Sequence, residues 1–225
     1  MYLAFIDDDG DVIILVQGGT NGSTTIVNLG TLGGTAAITA GASFSSAQQV
    51  FGDNMIAGTH IMPNTAPFTT SGADSALSRA SGTSFTIECY IRWSSLAATS
   101  PSATLFDWLG PSSRFASLRL SGSSGALQWI NGSNSPTNVA TLSSGVTYFC
   151  QLTVDGDTYY LDLDGTQVAT GSFSSINASG TYSFYAAAIN SANSTADTWF
   201  ATPLRVTRGV ARPRGGVPAG AWDLP

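Results

Sequence analysis

Few side chains in this chain of 225 residues could perform acid–base chemistry. Glu88 is the sole glutamate and His60 the sole histidine, so a multi-histidine metal site is excluded. Asp162 and Asp164 alternate as they would on one face of a strand, but Asp164 is needed by the turn that follows. Glycosidases place a pair of carboxyl groups beside the same bond, and Glu88 has no second carboxylate set around it. These residues therefore predict a protein that is not an enzyme.

An acidic run near the start of the chain superficially resembles a calcium-binding loop. Its candidate ligands are Asp7, Asp9 and Asp11. A complete EF-hand loop needs a bidentate glutamate at its twelfth position, which is Gly18 when the count begins at Asp7. The run is better interpreted as a solvated acidic turn that gathers a cation only at high calcium. No cofactor is predicted.

Tryptophan side chains are the candidates for stacking against a sugar ring. The chain has five of them, and most should lie in the core because large aromatic side chains dominate buried area. Trp129 lies close to the hairpin-turn dipeptide Asn131-Gly132, and Trp222 lies in the C-terminal tail. Trp129 and Trp222 are therefore the two glycan-stacking candidates. Trp222 has the alternative of anchoring the tail on a neighbouring subunit or on its own domain.

The basic residues are all arginines, and half of them lie near the C-terminus. The net charge is −6, which argues against nucleic acid as a partner because nucleic acid requires a basic surface. The locally basic C-terminal segment has two interpretations: a solvated edge, or a strip that docks to an acidic partner. The candidates for partner docking are Arg205, Arg208, Arg212 and Arg214.

The two cysteines, Cys89 and Cys150, both lie in alternating segments and on the face predicted to be buried. Two buried free thiols are the default in a protein made in the cytoplasm. A disulfide between neighbouring strands is the alternative, because a pair is present and no odd cysteine is left over.

Elements that could position these side chains are strands. Apolar residues alternate with polar ones from Phe85 to Trp93, which is typical of a strand with one buried face. Asp155-Gly156 and Asp164-Gly165 predict successive hairpin turns on either side of a short strand. Similar runs separated by turn residues recur along the chain. They predict one all-β sandwich over residues 1–225, with extended arms at about 1–11 and 209–225.

The composition agrees with that fold class. Only 10% of the residues are charged, whereas 43% are hydrophobic and 10% aromatic, which is too apolar for a disordered chain. The apolar runs are far shorter than the roughly 20 residues of a membrane-spanning helix, so no membrane insertion is predicted. The first residues turn acidic at once and show no secretory signal.

Several segments resemble concanavalin A-like, laminin G-like and pentraxin-like jelly-roll domains of the type found in tailed-phage structural proteins. The likeness to these jelly rolls is carried by Phe85-Thr-Ile-Glu-Cys-Tyr-Ile-Arg92 and by the hairpin of Thr153-Val-Asp-Gly156 and Tyr160-Leu-Asp-Leu-Asp-Gly165. The likeness to the tailed-phage subgroup is carried by the closing Leu204-Arg-Val-Thr-Arg-Gly-Val-Ala-Arg212 and by the opening Val12-Ile-Ile-Leu-Val-Gln-Gly-Gly-Thr-Asn-Gly-Ser-Thr-Thr25, with Gln48 to Gly52 as a middle marker. The resemblance implies a jelly-roll β-sandwich of two antiparallel sheets. It also raises the expectation of a disulfide, because pentraxins join cysteines in the two strands that hold Cys89 and Cys150.

The resemblance implies a non-enzymatic virion structural protein of a tailed bacteriophage, displayed on head or tail as a decoration or accessory protein. Such a protein would be assembled in the host cytoplasm, lie on the virion surface, contact capsid or tail subunits and form homo-oligomers. The alternative is a glycan-binding adhesin that recognises polysaccharide on the host surface. The two hypotheses are compatible if decoration and adhesion coincide.

Overall fold

The computed structural model describes ten segments of the chain. These are residues 11–37, 42–59, 68–72, 75–95, 103–112, 114–121, 124–132, 135–174, 179–186 and 198–220. Their regular elements are sixteen strands. In chain order these are β1 (Asp11–Val16), β2 (Thr25–Val27), β3 (Thr35–Ala37), β4 (Ala42–Val50), β5 (Asp53–Thr59), β6 (Phe68–Ser71), β7 (Phe85–Ser95), β8 (Ala103–Leu109), β9 (Arg114–Ser121), β10 (Ala126–Asn131), β11 (Thr137–Thr141), β12 (Thr147–Asp155), β13 (Thr158–Leu163), β14 (Thr166–Ser172), β15 (Thr181–Ala186) and β16 (Thr198–Arg208).

Two antiparallel sheets account for most of the strands. The eight-stranded sheet has the order β14-β13-β12-β7-β16-β5-β4, and β1 also pairs with β16. The six-stranded sheet has the order β11-β10-β9-β8-β15-β6, while β2 and β3 form a small separate pair. The prediction of an all-β sandwich built from two antiparallel sheets is confirmed. That residues 1–225 form a single domain stays a prediction.

Strand β7 lies between β12 and β16 in the eight-stranded sheet and runs two residues beyond its predicted end. Its alternation divides the side chains between the two faces of the sheet. Phe85, Ile87 and Ile91 pack into the core between the sheets and are at most 2% exposed. Thr86, Glu88 and the residues that follow at alternate positions point to the opposite side, which we call the outer face.

The predicted Asp-Gly hairpins form and fix the pairing of β12, β13 and β14. Asp164 and Gly165 both have positive φ, at 47° and 76°, which is the conformation of a two-residue type I′ turn. Gly156 likewise has a positive φ of 57°, as the first residue of the turn between β12 and β13. These turns bring the outward-facing residues of three strands into lateral register.

Aromatic side chains from both sheets fill the core at one end of the sandwich. Phe173 packs against Phe85 from the eight-stranded sheet and against Phe115 from the six-stranded one, with ring centroids 5.3 and 4.6 Å apart. Arg79 closes this end because its buried guanidinium donates to the backbone carbonyls of Phe173 and Ser174 and pairs with Asp157 at 2.8 Å.

Candidate functional site

Trp129 lies in the core, so the prediction that it stacks against a sugar is wrong. Its side chain is only 2% exposed and packs beside Phe106, Tyr159 and Phe173. The reason is its register: Trp129 lies opposite Leu118 of β9, on the face of β10 that points toward the other sheet. Its proximity to a turn does not expose it.

Several other candidates fall outside the described part of the chain. Trp222, Asp7 and Asp9 are among them, and Asp11 is described only as the first backbone position of β1. Within the described residues, no group of histidine, cysteine, aspartate or glutamate side chains could hold a metal ion. The same ranges contain no helix long and apolar enough to cross a membrane.

Cys89 and Cys150 lie directly opposite each other on β7 and β12, and both thiols are free. The disulfide implied by the pentraxin resemblance is therefore wrong, and the default expectation of two buried free thiols is confirmed. A hydrogen bond with Cys89, followed by burial, raises the pKa of Cys150. Both thiols therefore act as small core side chains rather than nucleophiles.

The C-terminal tail, residues 209–220, runs across the outer face of the eight-stranded sheet. The hydroxyl of Thr86 on β7 donates to the Val210 carbonyl and accepts from the backbone N–H of Arg212. Gln151 on β12 then donates to the Pro213 carbonyl at 3.1 Å. The tail next passes the β13–β14 turn, where a Cβ on Gly165 would lie 2.7 Å from the Gly215 carbonyl oxygen.

Beneath the tail lies a row of polar side chains that follows the register of four neighbouring strands. We call it the covered row: Arg205 of β16, Glu88 of β7, Gln151 of β12 and Asp162 of β13. Glu88, Gln151 and Asp162 are 2–3% exposed although they point away from the core. The tail therefore converts an outer face into a buried polar layer.

Arginines from the tail and from β16 neutralise the two carboxylates of the covered row. Glu88 Oε2 lies 2.6 Å from Arg205 Nε and 3.6 Å from Arg212 Nε. Asp162 accepts two hydrogen bonds from Arg214, each 2.8 Å long, in the bidentate geometry that suits a guanidinium and a carboxylate. The guanidinium of Arg214 also lies 4.1 Å from the ring centroid of Tyr160.

These pairs correct the prediction that the C-terminal arginines form a strip for docking an acidic partner. Arg205, Arg212 and Arg214 do have acidic partners, but those partners are carboxylates of the same chain. Arg208 lies at the end of β16 opposite Phe85, at the rim of the core rather than over the outer face. The carboxylates of the covered row are therefore paired with arginines of the same chain.

Glu88 does not have the surroundings of a catalytic acid or base. Burial raises the pKa of Glu88, while the hydrogen bond and the charge of Arg205 oppose that increase. Its carboxylate is paired with two guanidinium groups and covered by the tail. A general acid must reach the bond that it protonates, so the covered row in this conformation is suited to holding the tail.

Not every polar atom that is buried beneath the tail has a hydrogen-bond partner. Gln151 Oε1 and Thr153 Oγ1 are buried and have no hydrogen-bond partner within the described segments. Each such atom costs about 1–3 kcal/mol relative to its hydrated state. Arg212 is the only fully buried residue of the tail, so the tail is held mainly by polar contacts.

A second row of polar side chains lies on the outer face of the six-stranded sheet. We call it the donor row: Arg119 of β9, Gln128 of β10 and Asn138 of the edge strand β11. Arg119 Nε donates to Gln128 Oε1 at 3.0 Å, and Gln128 Nε2 donates to Asn138 Oδ1 at 2.9 Å. Arg119 and Gln128 are half-buried and Asn138 is exposed, so ligands can reach the row from solvent.

The direction of these hydrogen bonds follows from the chemistry of arginine. A guanidinium can only donate, so Gln128 must present its oxygen to Arg119 and its NH₂ group to Asn138. Asn138 must then present its own oxygen to Gln128. The terminal N–H groups of Arg119 and the NH₂ group of Asn138 make no hydrogen bond within the described residues, so they are available to a ligand, together with the second lone pair of each amide oxygen.

Arg119 differs from the paired arginines of the chain. No ion pair within the described residues includes it, and Gln128 is its one hydrogen-bond partner there. Neighbouring Arg114 is neutralised by a bidentate contact with Asp107, at 2.7 and 3.0 Å. Partial burial, and after it the charge of Arg114, lowers the pKa of Arg119, while the charge of Asp107 opposes that decrease. Its positive charge is therefore only partly compensated.

The donor row was missed by reasoning from the sequence. Arg119 lies between Leu118 and Leu120, and Gln128 lies between Leu127 and Trp129. That pattern indicates that both polar side chains point away from the core. The sequence pattern contains nothing that pairs the three residues across β9, β10 and β11, because register between strands is a tertiary property.

Comparison with family models found no match for this chain, and comparison with curated proteins found none either. Solved structures do match its fold. The binding domain of botulinum neurotoxin DC in complex with SialylT superposes with a TM-score of 0.57 at 14% identity, over 88% of this chain and 48% of that one. The binding domain of Paraclostridial Mosquitocidal Protein 1 gives 0.61 at 13% identity, over 90% and 50%.

A third similar structure belongs to an enzyme. Trypanosoma rangeli sialidase in complex with sialic acid gives a TM-score of 0.59 at 14% identity, over 90% of this chain but only 31% of the sialidase. The chain therefore spans half or less of each of these proteins. At such identities the likeness establishes the fold alone: a β-sandwich that these toxin binding domains share.

Proposed function

We propose that this chain is a glycan-binding module that holds its ligand on the outer face of the six-stranded sheet. The observation that carries the proposal is the donor row. Its planar side chains come from three adjacent strands, are held in place by mutual hydrogen bonds, and keep free N–H groups at the surface. Sugar hydroxyls and carboxylates supply the oxygen acceptors that such N–H groups bind.

The likeness to toxin binding domains supports this proposal. One of those domains is described in complex with SialylT, and its fold is similar to that of this chain. In this chain, the six-stranded sheet of that fold positions the donor row. SialylT is named with that protein and not with this one. The proposal for this chain therefore rests on its own donor row.

Binding without catalysis is the form of activity that we propose. The sole glutamate, Glu88, is paired with arginines under the tail, and Asp162 is held by Arg214. Neither carboxylate lies on the outer face that carries the donor row. Incubating the protein with any bound glycan and measuring released reducing ends tests this directly. Hydrolysis that disappears in Glu88→Gln or Asp162→Asn would contradict it.

The test of the proposal is a glycan array followed by calorimetry with the purified protein. We expect binding with millimolar or tighter Kd, and we expect Asn138→Ala to weaken it because that change removes the exposed amide of the donor row. Gln167→Ala is a matched control, since it removes an exposed amide from the eight-stranded sheet instead. Binding that is insensitive to Asn138→Ala, or no binding to any glycan, would overturn the proposal.

Display on a tailed-phage particle is a second proposal, and it is compatible with the first. It is supported by the sequence segments that resemble tailed-phage structural proteins, which occur in the expected order along the chain. The particle's other subunits would then be the partners of this chain, and host glycan would be its target. Quantitative mass spectrometry of purified virions tests this: hundreds of copies indicate head decoration, a few indicate the tail, and none contradicts the proposal.

A further inference from the structure

We infer that the donor row selects an acidic glycan, whose carboxylate pairs with the guanidinium of Arg119. This inference rests on the proposed glycan-binding function and adds the chemical class of the ligand. It is carried by three observations at one place: an arginine with no carboxylate partner among the described residues, two guanidinium nitrogens that make no hydrogen bond there, and an exposed amide at the far end.

The first observation concerns charge. Arg79, Arg114, Arg205, Arg212 and Arg214 all lie within 4 Å of a carboxylate of this chain. Arg119 has no carboxylate partner in the described segments, although it is half-buried. A ligand carboxylate would supply the missing anion, and it would displace less water than it would at a fully exposed arginine.

The second observation concerns geometry. Gln128 accepts from Nε of Arg119, and the two terminal nitrogens of the guanidinium make no hydrogen bond to any described residue, which leaves them for a carboxylate. A guanidinium edge and a carboxylate match each other with two parallel hydrogen bonds. The hydrogen bond that Arg119 donates to Gln128 also fixes the plane of the guanidinium before the ligand arrives, which reduces the entropy lost on binding.

The third observation sets the extent of the ligand. Neighbouring strands lie about 4.8 Å apart, so a row across three strands extends over about 10 Å. Asn138, on the edge strand, presents its amide N–H groups at the end of the row opposite Arg119. A saccharide with its acidic sugar at Arg119 would therefore place a neighbouring sugar's hydroxyls beside Asn138.

Overall charge favours a ligand with few negative groups. The chain carries a net charge of −6, which repels a large polyanion. The donor row has one guanidinium, that of Arg119, and the neighbouring Arg114 is already paired with Asp107. A single carboxylate matches this site better than a densely sulfated chain does.

The experiment compares acidic probes with their own uncharged forms. Sialyllactose and trigalacturonate are each titrated beside the corresponding methyl ester, which keeps the sugar and removes the charge. We expect at least one of the two acids to bind, and its ester to bind roughly 10- to 100-fold more weakly, as befits the loss of a charge-assisted hydrogen bond. The same loss is expected for the acid with Arg119→Gln.

Two further variants separate charge from shape. Arg119→Lys keeps the charge but lacks the planar fork, so we expect an intermediate affinity. Gln128→Glu places a carboxylate beside Arg119 within the protein, and we expect it to abolish binding of the acid. Arg92→Gln is the matched control, because Arg92 also lies outside the described ion pairs but belongs to the eight-stranded sheet.

The outcomes distinguish this inference from the proposed function. If acid and ester bind equally and Asn138→Ala weakens both, the donor row binds glycan but the charge selection is overturned. If a sulfated oligosaccharide binds more tightly than either acid and Arg119→Gln abolishes it, the carboxylate assignment is overturned. If Arg92→Gln reduces binding as much as Arg119→Gln, the site is misplaced. If no glycan of any kind binds, the proposed function itself fails.

Discussion

Each of the two sheets carries a row of hydrogen-bonded polar side chains on its outer face, but the two rows differ in how their charges are paired. In the covered row, cross-strand neighbours Glu88 and Arg205 pair at 2.6 Å, and the tail adds further guanidinium groups above the sheet. In the donor row, Arg119 hydrogen-bonds to an amide and has no carboxylate within ion-pair distance among the described residues. The carboxylates of one face are thus paired within the chain, whereas the arginine of the other face is not.

The number of polar side chains on a sheet face does not by itself identify a binding site. The covered row has more charges than the donor row, yet each of its carboxylates is paired with an arginine of the same chain. A binding site is identified by the polar groups that remain available after pairing within the chain. By that measure the donor row is the better candidate, because it offers guanidinium and amide N–H groups on one half-buried surface.

The largest expected difference between the two faces is in stability. Glu88→Gln removes the carboxylate that lies between the largely buried guanidinium groups of Arg205 and Arg212, and with it the ion pair that each of them makes with Glu88. We expect the free energy of unfolding, measured with urea, to fall by about 3 kcal/mol. Gln128→Ala in the donor row should change it by less than about 1 kcal/mol. Equal losses would show that the faces do not differ as described.

A smaller difference is expected when the same substitution is made on each face. Arg214→Gln removes the bidentate partner of Asp162, whose side chain is 2% exposed, and should cost about 2 kcal/mol. Arg119→Gln removes a cation that has no carboxylate partner and should change stability by no more than about 0.5 kcal/mol. Thermal unfolding of both variants measures this. A large loss for Arg119→Gln would reveal a structural role for the donor row.

The smallest expected effect is in the titration of Glu88. As the sole glutamate, it gives a single carboxyl signal when the protein is labelled with ¹³C-glutamate. Burial raises the pKa of Glu88, so we expect a midpoint above the ordinary value of about 4.3. The native state then binds a proton more tightly than the unfolded state. The contribution of Glu88 to stability therefore decreases as the pH rises from the ordinary pKa of the unfolded state through the raised pKa of the native state.

The Arg212→Gln variant sharpens the titration. Removing one of the two nearby guanidinium groups should move the Glu88 midpoint further upward. A midpoint below the ordinary value in the unmodified protein would mean that the charges of Arg205 and Arg212 outweigh burial. The covered row would then be a strongly stabilising ion pair rather than a costly one.

Much of the fold could be predicted from the sequence. The alternation from Phe85 to Trp93 identified a central strand of the eight-stranded sheet, because the side chains of a strand point to its two faces in turn. The Asp164-Gly165 dipeptide identified a hairpin, because few residue types tolerate positive φ at both turn positions. The packing of Trp129 was missed, since one residue of register decides whether a side chain points inward or outward.

The candidate site was not predictable in the same way. Arg214 and Asp162 are separated by 52 positions, and Arg205 and Glu88 by 117, so their pairing is invisible in local patterns. The C-terminal arginines were expected to face another molecule, because the sequence shows their charge but not the path of the tail. The donor row likewise depends on the lateral register of β9, β10 and β11.

The sequence by itself determined the class of the fold, the positions of several strands and of the Asp-Gly turns, and the scarcity of catalytic carboxylates. These properties follow from local periodicity and composition, which act over a few residues. Only the tertiary structure decided which charges are cancelled and which remain free. Charge compensation depends on distances of a few ångströms between residues far apart in the chain, and those distances exist only after the sheets and the tail have packed.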